Sequence, residues 1–367
     1  MTKIEVEIPN TDSYVVRIAQ GALTTLGETL RSFSKGPKVL LITDEVVGLK
    51  YGLLAKESLE KSGFLVSYLT IPSGEESKSV ALAEELWNAM AQCHLDRNST
   101  VVALGGGVVG DLAGFCGSTF MRGLSIVQVP TTLLSMVDSS VGGKTAINLG
   151  AGKNLVGTFC QPKYVCADLN LLASLPEREW ACGCGEIAKS ALIDSDEFFF
   201  WLSENALLLR DRHMEIVEEA VVRSVLFKAR VVSQDQCETK GVRECLNYGH
   251  TLAHAIETLA GYGTYSHGAA VAEGMRFAIR LAVVLKGTSL DLVKAQDELL
   301  DALGLPALDF RADPQDFLQV MLSDKKTKDG QLRFVLPEDV GKWSVESVDS
   351  DLVLDHLRAW QKGLVEG

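Results

Sequence analysis

The chain has 367 residues, of which 47% are hydrophobic and 23% charged, which suits a soluble protein of two ordinary domains and excludes a disordered or low-complexity chain. The opening MTKIEVEIPN lacks the basic-then-apolar build of a secretion signal, and no apolar run reaches the roughly eighteen residues of a membrane span, so a cytoplasmic location is expected. A net charge of −13 argues against nucleic acid or an anionic membrane as partner, and it makes any cluster of Lys and Arg more informative.

The first half alternates strand-like and helix-like segments. Lys38–Thr43 (KVLLIT), Phe64–Ile71 (FLVSYLTI), Thr100–Leu104 (TVVAL) and Ser125–Val129 (SIVQV) are short apolar runs. Amphipathic stretches at Val46–Ser62 and Ser79–Ala91 separate the first of them. Strands spaced by helices predict βαβ units and a mostly parallel sheet. From about Pro176 the pattern turns helical, at Glu215–Ser233, Ala269–Leu285, Leu290–Leu303 and Asp351–Lys362, with Ser289 and Ser350 as expected N-caps. Only Gln331–Leu336 and Trp343–Val348 look like a late hairpin. The predicted fold is α/β: a Rossmann-like, mostly parallel sheet domain over residues 1–178, followed by a mainly α-helical domain over 179–367.

Eight cysteines are scattered along the chain, several inside apolar runs, and read as reduced core residues. Cys182-x-Cys184 is read as packing, because structural zinc usually needs two such pairs.

Gly105-Gly106-Gly107-Val108-Val109-Gly110-Asp111 follows a strand and opens a helix, so its backbone N–H groups can approach a pyrophosphate. The cluster lies late in the chain, and the next strand ends in Pro130-Thr131-Thr132 rather than on the acid that holds an adenosine ribose. Asp44, at the end of an early strand, is the candidate for that acid. Ser73-Gly74-Glu75-Glu76-Ser77-Lys78 ends another strand and offers a further phosphate contact.

His250 and His254 stand at i, i+4 on one predicted helix face, with His267 on the loop beyond. That spacing suits a shared divalent metal. Glu186, in the glycine-rich start of an apolar helix, adds the carboxylate of a common catalytic zinc set, although an acid in a first turn is also favoured by the helix dipole. Lys189 shares its face. Lys144, Lys153, Asn154, Lys228 and Arg243, together with Arg122, make up a potential anion pocket; Lys228 lies in an apolar run, VLFKARVV, where a cation needs a partner.

These segments resemble the 3-dehydroquinate synthase family nearly end to end: GGGVVGDLAGF, QVPTTLLSMVDSSVGGKTAIN, GKNLVGTFCQP, SLPEREWACGCGEIAK, LNYGHTLAHAIE, HGAAVAEGM and MLSDKK. The resemblance implies Zn²⁺ or Co²⁺ held by Glu186, His250 and His267, which moves His254 from metal ligand to substrate-side histidine. It implies NAD contacts at Asp44, Glu75 and Lys78, which join Ser73 and Gly74, the phosphate candidates of the same turn. The turn Gly106, Gly107, Val108, Val109, Gly110 and Asp111 joins them, as do Thr131 and Thr132, with Lys144 and Lys153 near the nicotinamide. Substrate contacts carry over to Asp138, Lys144, Asn154, Lys189 and Lys228, and to Arg243, Asn247 and His254. Arg122 matches an arginine reaching the phosphate across a homodimer, and one of Lys325 and Lys326 matches a late substrate lysine.

The implied reaction converts 3-deoxy-D-arabino-heptulosonate 7-phosphate to 3-dehydroquinate and phosphate. A related cyclase acting on sedoheptulose 7-phosphate or an amino analogue is the alternative. The chain departs from the family at Ala253, where Gly is usual, and at Ala269, where an acid is usual. Glu273, one helical turn on, is the expected replacement for that acid.

Overall fold

The computed structural model describes residues 1–8, 13–261, 263–323 and 331–366. It divides into two compact units, Met1–Pro176 with Val217–Cys237, and Glu177–Ile216 with Glu238–Gly367. This differs from a single cut at residue 178 in one respect. Residues 217–237, expected in the helical domain, pack with the first unit.

Nine strands lie among the described residues of the first unit: β1 (Thr2–Val6), β2 (Tyr14–Ala19), β3 (Lys38–Asp44), β4 (Leu65–Ile71), β5 (Thr100–Gly105), β6 (Ser125–Pro130), β7 (Lys144–Leu149), β8 (Gly152–Phe159) and β9 (Tyr164–Asp168). Seven of them form one sheet in the order β1-β2-β9-β6-β5-β3-β4, parallel except for the β1–β2 pair, while β7 and β8 form a separate antiparallel hairpin. Every residue of β5 and β9 is buried, which is why such strands read as continuous apolar runs. The helix Gly107–Thr119 lays Leu112 and Phe115 against Val101, Ala103 and Ile126 of the sheet.

β3 has β4 on one side and β5 on the other. The chain runs out to the edge after β3 and returns on the opposite side, so the carboxyl ends of β3 and β5 flank a topological switch point, where open α/β sheets bind ligands. Asp44 ends β3 and Gly105 ends β5.

The second unit holds the helices Glu177–Asp194, Asp196–Arg210, His250–Ala260, His267–Lys286, Leu290–Ala302, Pro314–Ser323 and Ser350–Glu366. The predicted late hairpin is present as β10 (Leu332–Asp339) and β11 (Lys342–Val348). Ser289 caps its helix by accepting from Leu292 N–H at 3.1 Å. Ser350 does not cap: it is the first helical residue, and Asp349 Oδ1 accepts from Asp351 N–H at 2.9 Å instead. Among the described residues no helix is long and apolar enough to cross a membrane.

Candidate active site

In the first unit the glycine turn stands where strand and helix meet. Gly106 precedes the helix Gly107–Thr119 and offers no side-chain cap, so the first N–H groups of that helix face outward without an intrahelical acceptor. Gly110 lies against β6, where Gln128 Nε2 donates to its carbonyl at 3.2 Å. Beside the turn, Thr131 N–H bonds Gly105 O at 3.0 Å, and the Thr131 hydroxyl is buried with no hydrogen-bond partner. An orphaned buried hydroxyl beside an uncapped helix start fits a bound anion such as a pyrophosphate. Thr132 is occupied differently, its Oγ1 accepting from Ser135 N–H at 3.0 Å.

Asp44 caps the turn after β3: its Oδ1 accepts from Val46 and Val47 N–H, both at 2.9 Å, and from the Ser73 hydroxyl at 3.1 Å. The ends of β3 and β4 are thus tied together. Gly74 has φ +111° and leads into the short helix Glu75–Ser77. Lys78, 4% exposed, donates to Asp111 Oδ2 at 2.7 Å and to Asn154 Oδ1, and lies 3.8 Å from Glu75 Oε1. Burial raises the Asp111 carboxyl above its usual range, and Lys78 opposes that shift.

Asn148, which the sequence did not single out, joins the same network. Its Nδ2 donates to Glu75 Oε1 at 2.8 Å, its Oδ1 accepts from Asn154 N–H at 2.9 Å, and its own N–H bonds Lys78 O at 2.7 Å. The β7–β8 hairpin, which carries Lys144, Lys153 and Asn154, is therefore clamped to the Glu75–Lys78 turn. Asn154 has φ +55°, a left-handed conformation held by those bonds.

Lys228 meets Asp138 at 2.6 Å, which supplies the partner its apolar helix demanded. Met121, Arg122 and Gly123 all have positive φ (50°, 69° and 117°), a strained turn that presents an exposed Arg122.

The second unit gathers Glu186, His250 and His267. Glu186 is not in a first turn as expected: its helix starts at Glu177, so Gly183 and Gly185 lie inside it, and the buried carboxylate is beyond reach of the terminal dipole. Helix-weakening glycines are tolerated there because backbones touch. A Cβ on Gly268 would stand 2.3 Å from Cys182 O, and one on Gly274 would stand 1.8 Å from Gly249 O. The first contact draws the start of the helix His267–Lys286 onto the helix of Glu186, and the second draws that same helix against the turn that opens His250–Ala260.

One donor atom from each of Glu186, His250 and His267 lies within 4.8 Å of the others. Tetrahedral coordination with metal–ligand bonds of about 2.1 Å places ligand atoms roughly 3.4 Å apart. His250 Nε2 and His267 Nε2 each stand 3.6 Å from Glu186 Oε1, so the donor set fits a divalent ion. His250 Nδ1 is 3.1 Å from Tyr248 O, which fixes it as the N–H and leaves Nε2 to donate its lone pair. Burial disfavours the charged form of His267, but hydrogen bonds to Glu186 and Glu257 outweigh it and raise its pKa to about 9.

Lys189 pairs with Glu186 Oε2 and donates to Leu246 O at 2.7 Å. Leu246 lies in the turn Val242–Asn247, which also carries the buried Arg243 and Asn247. His254, one turn after His250, has its ring centroid 5.7 Å away and is outside the donor group that the i, i+4 spacing alone favoured. Burial pushes the Cys182 thiol up to about 12, and its sulfur accepts from Gly268 N–H at 3.2 Å, in keeping with packing rather than metal binding. Lys325 and Lys326 lie outside the described residues.

The family model described as 3-dehydroquinate synthase N-terminal matches residues 68–182, and that described as 3-dehydroquinate synthase C-terminal matches residues 183–327. The chain belongs to the 3-dehydroquinate synthase family. A 3-dehydroquinate synthase of Rhodopirellula baltica is 49% identical over 88% of this chain and 86% of its own length. Among solved structures, 2-deoxy-scyllo-inosose synthase complexed with carbaglucose-6-phosphate, NAD⁺ and Co²⁺ is 27% identical, with a TM-score of 0.85 over 98% of this chain and 99% of that one. The 2-epi-5-epi-valiolone synthase of Streptomyces hygroscopicus, with NAD⁺ and Zn²⁺ bound, is 25% identical, with a TM-score of 0.87 over the same shares. Both family models carry the dehydroquinate name, so membership favours that reading over the alternative cyclase.

The expected role of Glu273 does not hold. Its carboxylate accepts from Leu308 N–H at 3.0 Å and from Trp360 Nε1 at 2.7 Å, where it ties the helix His267–Lys286 to its neighbours. The acid that does face a histidine is Glu257, 3.5 Å from His267 Nδ1. The sequence held one signal for it: Glu257 follows His250 and His254 at i+7 and i+3, on the same helix face.

Proposed function

We propose that the chain is a carbon–oxygen lyase that converts 3-deoxy-D-arabino-heptulosonate 7-phosphate to 3-dehydroquinate and phosphate, working in the cytoplasm as a homodimer. The observation that carries this reading is the Glu186, His250 and His267 donor set in a chain of this family. NAD and a divalent Zn²⁺ or Co²⁺, both bound in related cyclases, fit the uncapped glycine turn and the donor set respectively. When bound, NAD supplies a hydride acceptor at C5 that later gives the hydride back, so that phosphate leaves by β-elimination and an aldol step closes the ring, while the metal polarises substrate oxygens.

The chain's own residues then bind, orient and move protons. Gly106, Gly107, Val108 and Val109 present N–H groups to the dinucleotide phosphates, with Gly110, whose N–H closes the first helical turn on Gly106 O, and Asp111, Thr131 and Thr132 beside them. Asp44, Ser73, Gly74, Glu75 and Lys78 border the adenosine end, and Lys144 and Lys153 the nicotinamide end. Lys189, Lys228 and Arg243 supply positive charge to a doubly anionic substrate within an acidic protein, a need that follows from the net charge of −13. Asp138 holds Lys228 in place, Asn154 and Asn247 hydrogen-bond substrate hydroxyls, and His254 exchanges a proton with the substrate. Arg122 reaches the phosphate of the other subunit.

Assay of the purified chain with the heptulosonate phosphate and with sedoheptulose 7-phosphate tests the proposal. Product from the first alone supports it, and turnover of the second alone contradicts it. Mixing Arg122→Ala with Lys189→Ala under subunit exchange should restore activity in hybrid dimers; no recovery after confirmed exchange removes the inter-subunit arginine.

A further inference from the structure

The helix His250–Ala260 places His250, His254 and Glu257 along one face. His250 offers Nε2 to the donor set, and Glu257, nearly two turns further on, turns to a different histidine. Its side chain is 15% exposed, and its Oε1 lies 3.5 Å from His267 Nδ1. The other ring nitrogen of His267, Nε2, lies 3.6 Å from Glu186 Oε1. The imidazole is thus bracketed by carboxylates at both nitrogens.

A neutral imidazole has one N–H donor and one lone pair, and an ionised carboxylate only accepts. In the neutral ring that a metal ligand must be, Glu257 therefore sets the tautomer, with the proton on Nδ1 and the Nε2 lone pair on the side of Glu186 and His250. The two histidines are anchored unequally. His250 gives its Nδ1–H to the neutral carbonyl of Tyr248, whereas His267 faces a full negative charge, which makes its Nε2 the stronger donor. Nothing at the start of its own helix does this. Ser266 Oγ caps Ala269 N–H at 3.3 Å, position 269 carries a methyl group, and Glu273 is engaged with Leu308 and Trp360.

We infer that Glu257 is a positioning residue for His267, an acid supplied across two helices that orients and strengthens a metal ligand; the inference rests on the proposed metal site.

The test is competitive titration of Zn²⁺ against a chelator on the full chain, for the wild type and for Glu257→Gln, Glu257→Leu and His267→Ala. An amide keeps an acceptor for Nδ1–H but loses the charge, and leucine loses both. The expected order is graded, with the dissociation constant raised by about 10-fold in Glu257→Gln and towards about 100-fold in Glu257→Leu. Visible absorption of the Co²⁺-loaded protein should shift in the same order, which a merely structural role would not produce. Wild-type affinity in Glu257→Leu, together with lost affinity in His267→Ala, overturns the role of Glu257 and leaves the metal site standing. Wild-type affinity in His267→Ala overturns both. Should Glu257→Leu fail to fold, an unchanged constant in Glu257→Gln overturns the inference by itself.

Discussion

Gly185 and Gly268 meet backbone to backbone: a Cβ built on Gly185 would lie 2.8 Å from the Gly268 carbonyl oxygen. One residue beyond Gly185 is Glu186, and one residue before Gly268 is His267. The distance between two members of the donor set is thus fixed by an absence of side chains next door. Gly268→Ala should separate the helices, since its Cβ would otherwise overlap Cys182 O at 2.3 Å. Overpacking of this kind typically costs about 1–3 kcal/mol. We expect a lower denaturation midpoint and reduced bound metal, measured by chemical unfolding and elemental analysis. Full metal content in Gly268→Ala would detach the site from this crossing.

His254 separates two roles that spacing alone cannot. It stands beside His250 but outside the donor group. His254→Ala should retain bound metal while kcat falls by about 10²-fold to 10⁴-fold, the range for loss of a general acid or base. His250→Ala and Glu186→Gln should lose the metal itself. Elemental analysis of the three variants decides, and an empty His254→Ala protein would restore the i, i+4 pair as ligands.

Ala269 is the third residue after the cap Ser266, where an acid would reach back to the Ser266 N–H and complete a capping box. Ala269→Glu should therefore stabilise the fold by about 0.3–1.5 kcal/mol. Zn²⁺ affinity should stay unchanged, because Glu257 already faces the ring. Thermal unfolding and zinc titration of one variant check both halves.

His356 gives the stability a pH dependence. Its Nε2 is 3.1 Å from Phe277 O, its ring packs 4.5 Å from the Phe277 ring, and burial lowers its pKa from 6.5. Above the unfolded value both states are neutral and the contribution is complete. As pH falls below about 6.5 the unfolded chain takes up a proton that the folded chain resists, so stability falls until the folded pKa is passed. The denaturation midpoint should drop between pH 6.5 and 5, and His356→Gln should reduce that drop. An equal drop in the variant would assign it to other groups.

The sequence made the buried centre of the fold legible and its margins less so. Runs such as TVVAL and SIVQV are largely apolar because β5 and β6 are covered on both faces, so they announce themselves. β1 and the β7–β8 hairpin have exposed positions, and β2 alternates buried with half-buried ones, so their apolar runs are broken and the pairing of β1 with β2 and of β7 with β8 defines them as strands. ACGCGEIAK looked like the beginning of a helix because glycine disfavours helical backbone. The true start at Glu177 emerges only when the crossing with Gly268 is known. Residue types and spacing pointed to Glu186, His250 and His267, with the choice against His254 drawn from the resemblance. Glu257 and Asn148 stayed hidden because their partners are set by tertiary packing: Glu257 meets a histidine on another helix, and Asn148 meets a turn two strands away.

The most direct measurement is a simultaneous count of phosphate, 3-dehydroquinate and NADH when the purified, metal-loaded chain acts on the heptulosonate phosphate with NAD present. The account predicts one phosphate for each 3-dehydroquinate and no accumulating NADH, because the hydride taken from C5 is returned within the turnover. NADH formed in step with product, or oxidation without phosphate release, would make the chain a dehydrogenase and contradict the account.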